Sequence, residues 1–164
     1  MPEFIDLLRA FNDQEVRYVI VGGLAMVLHG STFPTFDLDL AISDDQANAE
    51  PIVRALAPLH PFPPQYGSPK NFVWDARSIT GAVISLATDA GFVDLLRVHP
   101  GVDGFEKLWE RAEARLVAGL LIRVACLDDL IKMKRAANRP KDLEHIKQLE
   151  SLKSIRDSAP PTGL

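Results

Sequence analysis

The chain has 164 residues, 47% of them hydrophobic and 24% charged, with a net charge of −4, which suits one globular domain with a substantial core. The acidic balance argues against broad nonspecific nucleic-acid binding, and a single cysteine, Cys126, excludes an internal disulfide. Glu3 and Asp6 interrupt the N-terminal apolar stretch and the longest apolar run, Leu116 to Ile122, is short, so a cytoplasmic protein with neither signal peptide nor membrane span is expected.

Phe4, Leu7, Leu8 and Phe11 recur at helical spacing and predict an amphipathic N-terminal helix. Tyr18 to Val21 reads as a buried strand, Gly22-Gly23 as a tight turn, and Leu24 to Leu28 as a short helix. A helix start behind a glycine turn offers unpaired N–H groups to phosphate oxygens, although glycine is also the default wherever a turn needs positive φ. Phe36 to Ile42 forms the next strand. Successive strand side chains point to opposite faces, so Asp37 and Asp39 lie side by side while Leu38 and Leu40 face the core. Two carboxylates at that separation repel unless a cation sits between them. A hard divalent ion with oxygen ligands is the usual answer, and Mg2+ the usual ion where phosphates are handled.

Asp44-Asp45 caps a helix whose apolar side is Ile52, Leu56 and Leu59, and Pro51 places its start near residue 50. Residues 58–70 form a proline-rich loop. Three β-like runs follow: Phe72 to Trp74 with its continuation, Ala82 to Ala87, and Phe92 to Val98, the last two joined by the turn Thr88-Asp-Ala-Gly91. A helix near Phe105 to Ala112 precedes a second hairpin, Arg115 to Val124. Two helices, 127–137 and 140–152, are separated by Asn138-Arg139-Pro140, with Pro140 suited to a first helical turn. The fold class expected is α/β (α+β), a small mixed β-sheet with flanking helices. Residues 1–153 make a single domain and residues 154–164 a disordered tail.

The run Val21-Gly-Gly-Leu-Ala-Met-Val-Leu-His-Gly-Ser31 with Thr35-Phe-Asp-Leu-Asp-Leu40 resembles the signature of the polymerase-beta-like nucleotidyltransferase superfamily. In that family a Gly-Gly or Gly-Ser turn precedes an Asp-x-Asp strand, and a third acidic residue lies on a later strand. The likeness is greatest to the small bacterial nucleotidyltransferases of abortive-infection and toxin–antitoxin systems. It extends to Gly91-Phe-Val-Asp-Leu-Leu-Arg97 and to Leu127-Asp-Asp-Leu-Ile-Lys-Met-Lys-Arg-Ala-Ala-Asn-Arg-Pro-Lys-Asp142, covering most of residues 15–150. It implies Mg2+-dependent transfer of a nucleoside monophosphate from an NTP to a hydroxyl on an RNA end, a protein side chain or a small molecule. A cognate antitoxin or partner protein is implied as well.

Asp94, acidic between apolar neighbours on a predicted central strand, completes a three-carboxylate cluster if its strand lies beside that of Asp37 and Asp39. Asp37, Asp39 and Asp94 are then the catalytic and metal-binding residues for one or two Mg2+ ions, and Asp94 helps to deprotonate the acceptor hydroxyl. Gly22, Gly23, Ser31 and Lys132 are the nucleotide-binding candidates. Ser31 reads equally well as a loop serine.

Relatives commonly carry a basic residue before the first aspartate, where this chain has Ser31-Thr-Phe-Pro-Thr-Phe36. Lys132 or Arg139 is the expected replacement, within a cluster that also reads as a solvated helix face. A catalytically weak nucleotide- or partner-binding protein of the same fold is the alternative. Phe62, Tyr66, Phe72 and Trp74 could form an aromatic platform, but aromatics beside prolines more often close a core edge.

Overall fold

A computed structural model describes residues 2–67 and 69–161. Helix α1 (Pro2–Asp13) turns Phe4, Leu7, Leu8 and Phe11 into the core, as their spacing predicts. Then come β1 (Tyr18–Val21), α2 (Gly22–Leu28), β2 (Asp37–Ile42) and α3 (Ala49–Leu56). The hairpin β3 (Val83–Thr88) and β4 (Gly91–Leu96) leads to α4 (Phe105–Arg111). A second hairpin, β5 (Glu113–Val117) and β6 (Leu120–Val124), precedes α5 (Leu127–Ala137) and α6 (Pro140–Ser158).

The strands form one six-stranded mixed sheet in the order β3-β4-β2-β1-β6-β5. β2 pairs antiparallel with β1 and parallel with β4. Its alternation decides the rest: Leu38 and Leu40 are fully buried, and Asp37 is exposed on the opposite face. Val93, Leu95, Ile84 and Leu86 continue the buried face across β4 and β3 and join one core with α1 and α3. The fold is the expected α/β class, with a mixed sheet flanked by helices. Among the described residues, no helix is long and apolar enough to cross a membrane.

Some local expectations differ. Phe72 to Trp74 is not a strand. It lies between two short 3-10 turns, the second capped by the Asp75 carboxylate, which accepts the Arg77 N–H. Trp74 packs against the core and donates its indole N–H to Val53 O at 2.9 Å, so the apolar character of this run serves packing rather than pairing. Asp45 caps a 3-10 turn, Gln46–Asn48, rather than the helix itself, while α3 begins at Ala49, next to the expected start near residue 50. Asn48 instead ties α3 to the entry of β1, accepting Arg17 N–H at 3.0 Å and donating to Arg17 O at 3.1 Å. The last helix continues to Ser158, past the expected boundary at 153, and residues 162–164 lie outside the described residues.

Because Leu38 is fully buried behind the acidic face, Leu38→Ala should lower the unfolding free energy by about 3 kcal/mol. Urea denaturation followed by circular dichroism should show a lower midpoint with an unchanged m-value. A change under about 1 kcal/mol would mean that this strand is not the centre of the core.

Candidate active site

In the parallel pairing of β2 with β4, Asp39 stands directly opposite Asp94, and Asp37 opposite Phe92. Neighbouring strands lie about 4.8 Å apart, so three carboxylates crowd one face of the sheet. Among the described residues, no three His, Cys, Asp or Glu side chains stand in a ready-made metal-holding arrangement. Mutual repulsion is a physical reason for that spread.

The glycine turn is shaped around Asp39. Gly22 has φ +63°, and a Cβ there would fall 2.1 Å from Asp39 Oδ2. A Cβ on Gly23 would fall 2.5 Å from Thr35 Oγ1, so a side chain at either position would displace Asp39 or Thr35. Thr35 in turn donates to the Asp37 carbonyl at 3.1 Å, fixing the start of β2. Burial raises the Asp39 carboxyl to about 6, and the charges of Asp94 and Asp37 push the same way. The Gly23 N–H and the Lys134 ammonium oppose the shift without cancelling it.

A cleft of about 600 Å3 opens over this face, lined by the glycine turn, Thr35 and the three aspartates. Met133, Lys134, Arg139 and His145, from α5, α6 and the link between them, form its other wall. This wall is cationic and organised by Asp142, which is almost wholly buried. Burial pushes the Asp142 carboxyl up, but the Arg139 side chain and backbone N–H, with Lys134, hold it at about 2. The Arg139 guanidinium meets both carboxylate oxygens at 2.9 and 3.1 Å, and Lys134 Nζ lies 3.5 Å from Oδ1. Burial lowers the Lys134 pKa from the ordinary lysine value. His145 packs its ring 4.7 Å from that of Phe33 and leaves a buried Nδ1 without a hydrogen-bond partner among the described residues.

Of the residues singled out from the sequence, the structure brings Gly22, Gly23, Asp37, Asp39 and Asp94 together. Ser31 is elsewhere. Its hydroxyl donates to Gln148 Oε1 and accepts the Phe33 N–H, tying the end of α2 to α6. Lys132 does not reach the cleft either. It sits about 100° round the helix from Ile131, half exposed and 3.9 Å from Asp129, in a surface groove with Arg135, Glu150 and Lys153. The lysine that lines the cleft is Lys134, on the same buried stripe as Leu130 and Ile131. A lysine on an apolar stripe is the signal that could have found it. Phe72 and Trp74 pack on each other, 6.4 Å between centroids, and none of the four loop aromatics lines the cleft.

A family model described as "Nucleotidyltransferase of unknown function (DUF6036)" matches residues 2–156. No curated protein matches the chain. Among solved structures, a Thermotoga maritima protein provisionally described as a nucleotidyltransferase (TM1012) superposes with a TM-score of 0.53 at 19% identity, covering 97% of this chain and 96% of its own. ANT(2")-Ia, solved in complex with adenylyl-2"-tobramycin, superposes with a TM-score of 0.56 at 13% identity, covering 93% and 92%. The solution structure of the same antibiotic-resistance factor gives a TM-score of 0.52 at 14% identity, covering 96% and 90%. At these identities the likeness is one of fold.

The raised Asp39 carboxyl makes stability depend on pH. The folded state keeps this proton up to about pH 6, whereas the unfolded chain releases it near 3.8. The contribution is therefore full below the unfolded value and lost as pH rises through about 6, at most roughly 3 kcal/mol. Denaturation without added divalent cation should show this decline, and Asp39→Asn should remove it. An unaltered slope in that variant would assign the titration to another group.

Proposed function

We propose that this chain, which belongs to that nucleotidyltransferase family, transfers a nucleoside monophosphate from an NTP to a hydroxyl-bearing acceptor and releases pyrophosphate. One observation carries the reading: a row of three carboxylates faces the Lys134–Arg139 wall across a single cleft, beside the glycine turn. The donor set fits a hard divalent cation, for which Mg2+ is the proposed ion. It offers only oxygen ligands, and the charges of Asp94 and Asp37 add to burial in raising the Asp39 carboxyl, a crowding that a cation would relieve. Asp37, Asp39 and Asp94 would hold the ion or ions, whose chemistry is to neutralise phosphate charge and polarise the reacting oxygens.

The chain's own groups divide the remaining work. Gly22 and Gly23 leave room for Asp39 and Thr35 to pack against the backbone, which seats the Asp39 carboxylate at the cleft. Lys134 and Arg139 pair with the triphosphate and stabilise the departing pyrophosphate, with Asp142 fixing their heads. Asp94 is the member of the row farthest from the glycine turn, so it takes the proton of the acceptor hydroxyl. Lys134 and Arg139 fill the role of the basic residue missing before Asp37, which favours catalysis over the reading as a weak nucleotide- or partner-binding protein. RNA ends, protein side chains and small molecules all fit the acceptor definition, and a place in a toxin–antitoxin pair rests on the sequence resemblance alone.

Incubation with each labelled NTP, Mg2+ and cell extract, followed by fractionation, should leave label on one acceptor class. No labelled fraction with any NTP would sink the transfer reading. Lys134→Ala and Arg139→Ala should each weaken NTP binding roughly tenfold or more in calorimetric titration, as loss of a charge-assisted hydrogen bond does. Lys132→Ala should bind as the wild type does. Asp94→Ala should keep most NTP affinity and lose transfer. Equal affinities in all four proteins would remove the cationic wall from the site.

A further inference from the structure

The row of functional side chains does not end at Asp94. Ser85 on β3 is the direct cross-strand partner of Asp94 in β4, which in turn is paired with Asp39 in β2. Ile84 and Leu86 are buried on the far face, so Ser85 shares the carboxylate face, where it is exposed. The backbone pattern brings the pair close. Ala87 exchanges both its hydrogen bonds with Phe62, outside the hairpin, and Ala82 O accepts Arg97 N–H from inside it. By the strand period of two, Ser85 also turns its N–H and C=O outward, making Ser85–Asp94 a non-hydrogen-bonded pair. Such pairs bring side chains nearest, with Cβ atoms about 4.5 Å apart. Among the described residues, the Ser85 hydroxyl has no hydrogen-bond partner of its own, and β3 is a terminal strand of the sheet whose outer edge is bridged by Phe62 at Ala87, two residues from Ser85.

A hydroxyl beside a carboxylate is a nucleophile beside its base. Here it stands on the acceptor side of the row, on the side of Asp94 away from the glycine turn. We propose that Ser85 is an internal acceptor and that the protein nucleotidylates itself there. The inference rests on the transfer reading of the site. Ser85 Oγ attacks the α-phosphorus of the NTP, a new P–O bond forms, and the bond from the α-phosphorus to the bridging oxygen breaks. Pyrophosphate leaves, and the hydroxyl proton passes to the Asp94 carboxylate and on to water. The product is a phosphodiester between Ser85 and the nucleoside 5′ carbon. Ser85 stands beside Asp94 and two residues from Val83, both of which line the cleft, so a nucleotide there crowds the same rim. Ser85 is exposed, so a bulky nucleoside attached there can extend into solvent.

The test uses the full chain with Mg2+ and each of the four NTPs, read by intact mass, peptide mapping and released pyrophosphate, with NTP binding measured in parallel. The expected result is one nucleoside monophosphate on Ser85 per chain, matched by one pyrophosphate. Ser85→Ala should fold, as judged by its nucleotide-free melting curve, and lose the adduct. Ser85→Thr keeps the hydroxyl and should regain it, whereas Asp94→Asn should slow it by about two orders of magnitude or more. Label on another residue, or an equal adduct in Ser85→Ala, overturns the proposal. If NTP binds and extract acceptors are labelled while the chain itself stays unmodified, only the Ser85 proposal fails. If no NTP binds, the transfer reading fails and takes this proposal with it.

Discussion

The arrangement depends on holding like charges together on one face of a sheet. Two carboxylates about 5 Å apart repel by roughly 3 kcal/mol at an effective dielectric of 20. Asp39 has one such neighbour across on β4, and a second, Asp37, about 6.6 Å away along its own strand. Nothing polar forces this pattern. It is imposed by Leu38, Leu40, Val93 and Leu95, whose burial on the opposite face fixes the register and leaves the aspartates nowhere else to point. A slip of one residue would send the carboxylates into the core, so the hydrophobic pattern and the acidic site enforce one another.

The second wall solves the converse problem. Lys134 and Arg139 would repel each other and collapse onto the aspartates if left free. Asp142 prevents both by accepting from the two together, and its carboxyl sits at about 2 while that of Asp39 sits at about 6. Equally acidic side chains are thus separated by environment alone: one is surrounded by cations, the other by anions and apolar walls. Asp142 adds stability that is full above the unfolded carboxylate range and lost as pH falls through about 2. A nucleotide bearing negative charge and a divalent ion would enter a cleft whose two faces already carry the opposite signs.

The sheet side of the site was legible because strand alternation is a rigid rule. Asp37, Leu38, Asp39 and Leu40 needed only the period of two, and Asp94 only an acidic residue between apolar ones. The nearness of β2 to β4 came from family resemblance, since no local signal tells which strands are neighbours. The helical side was harder to read. Whether Lys132 or Lys134 enters the cleft depends on how α5 packs, a tertiary fact that the stripe Leu130, Ile131, Lys134 alone does not give. Phe72 to Trp74 misled for a similar reason: β-branched and aromatic residues mark burial as much as pairing. The close pairing of Ser85 with Asp94 needed the register of a third strand, and only coordinates supply that.

The same register divides the site between two tasks. On the β1 side of the row stand Gly22 and Gly23, where a side chain would displace Asp39 or Thr35, and Lys134 and Arg139 face the aspartates across the cleft. On the β3 side stand Val83, Phe92 and Ser85, all exposed on the carboxylate face. Tight backbone, fixed cations and partial burial suit a ligand that is always the same, such as a triphosphate. An open, partly apolar edge suits a group that comes and goes. The carboxylate row is the seam between them, and the proposed transfer, which joins a phosphorus atom on one side to a hydroxyl on the other, would occur along it.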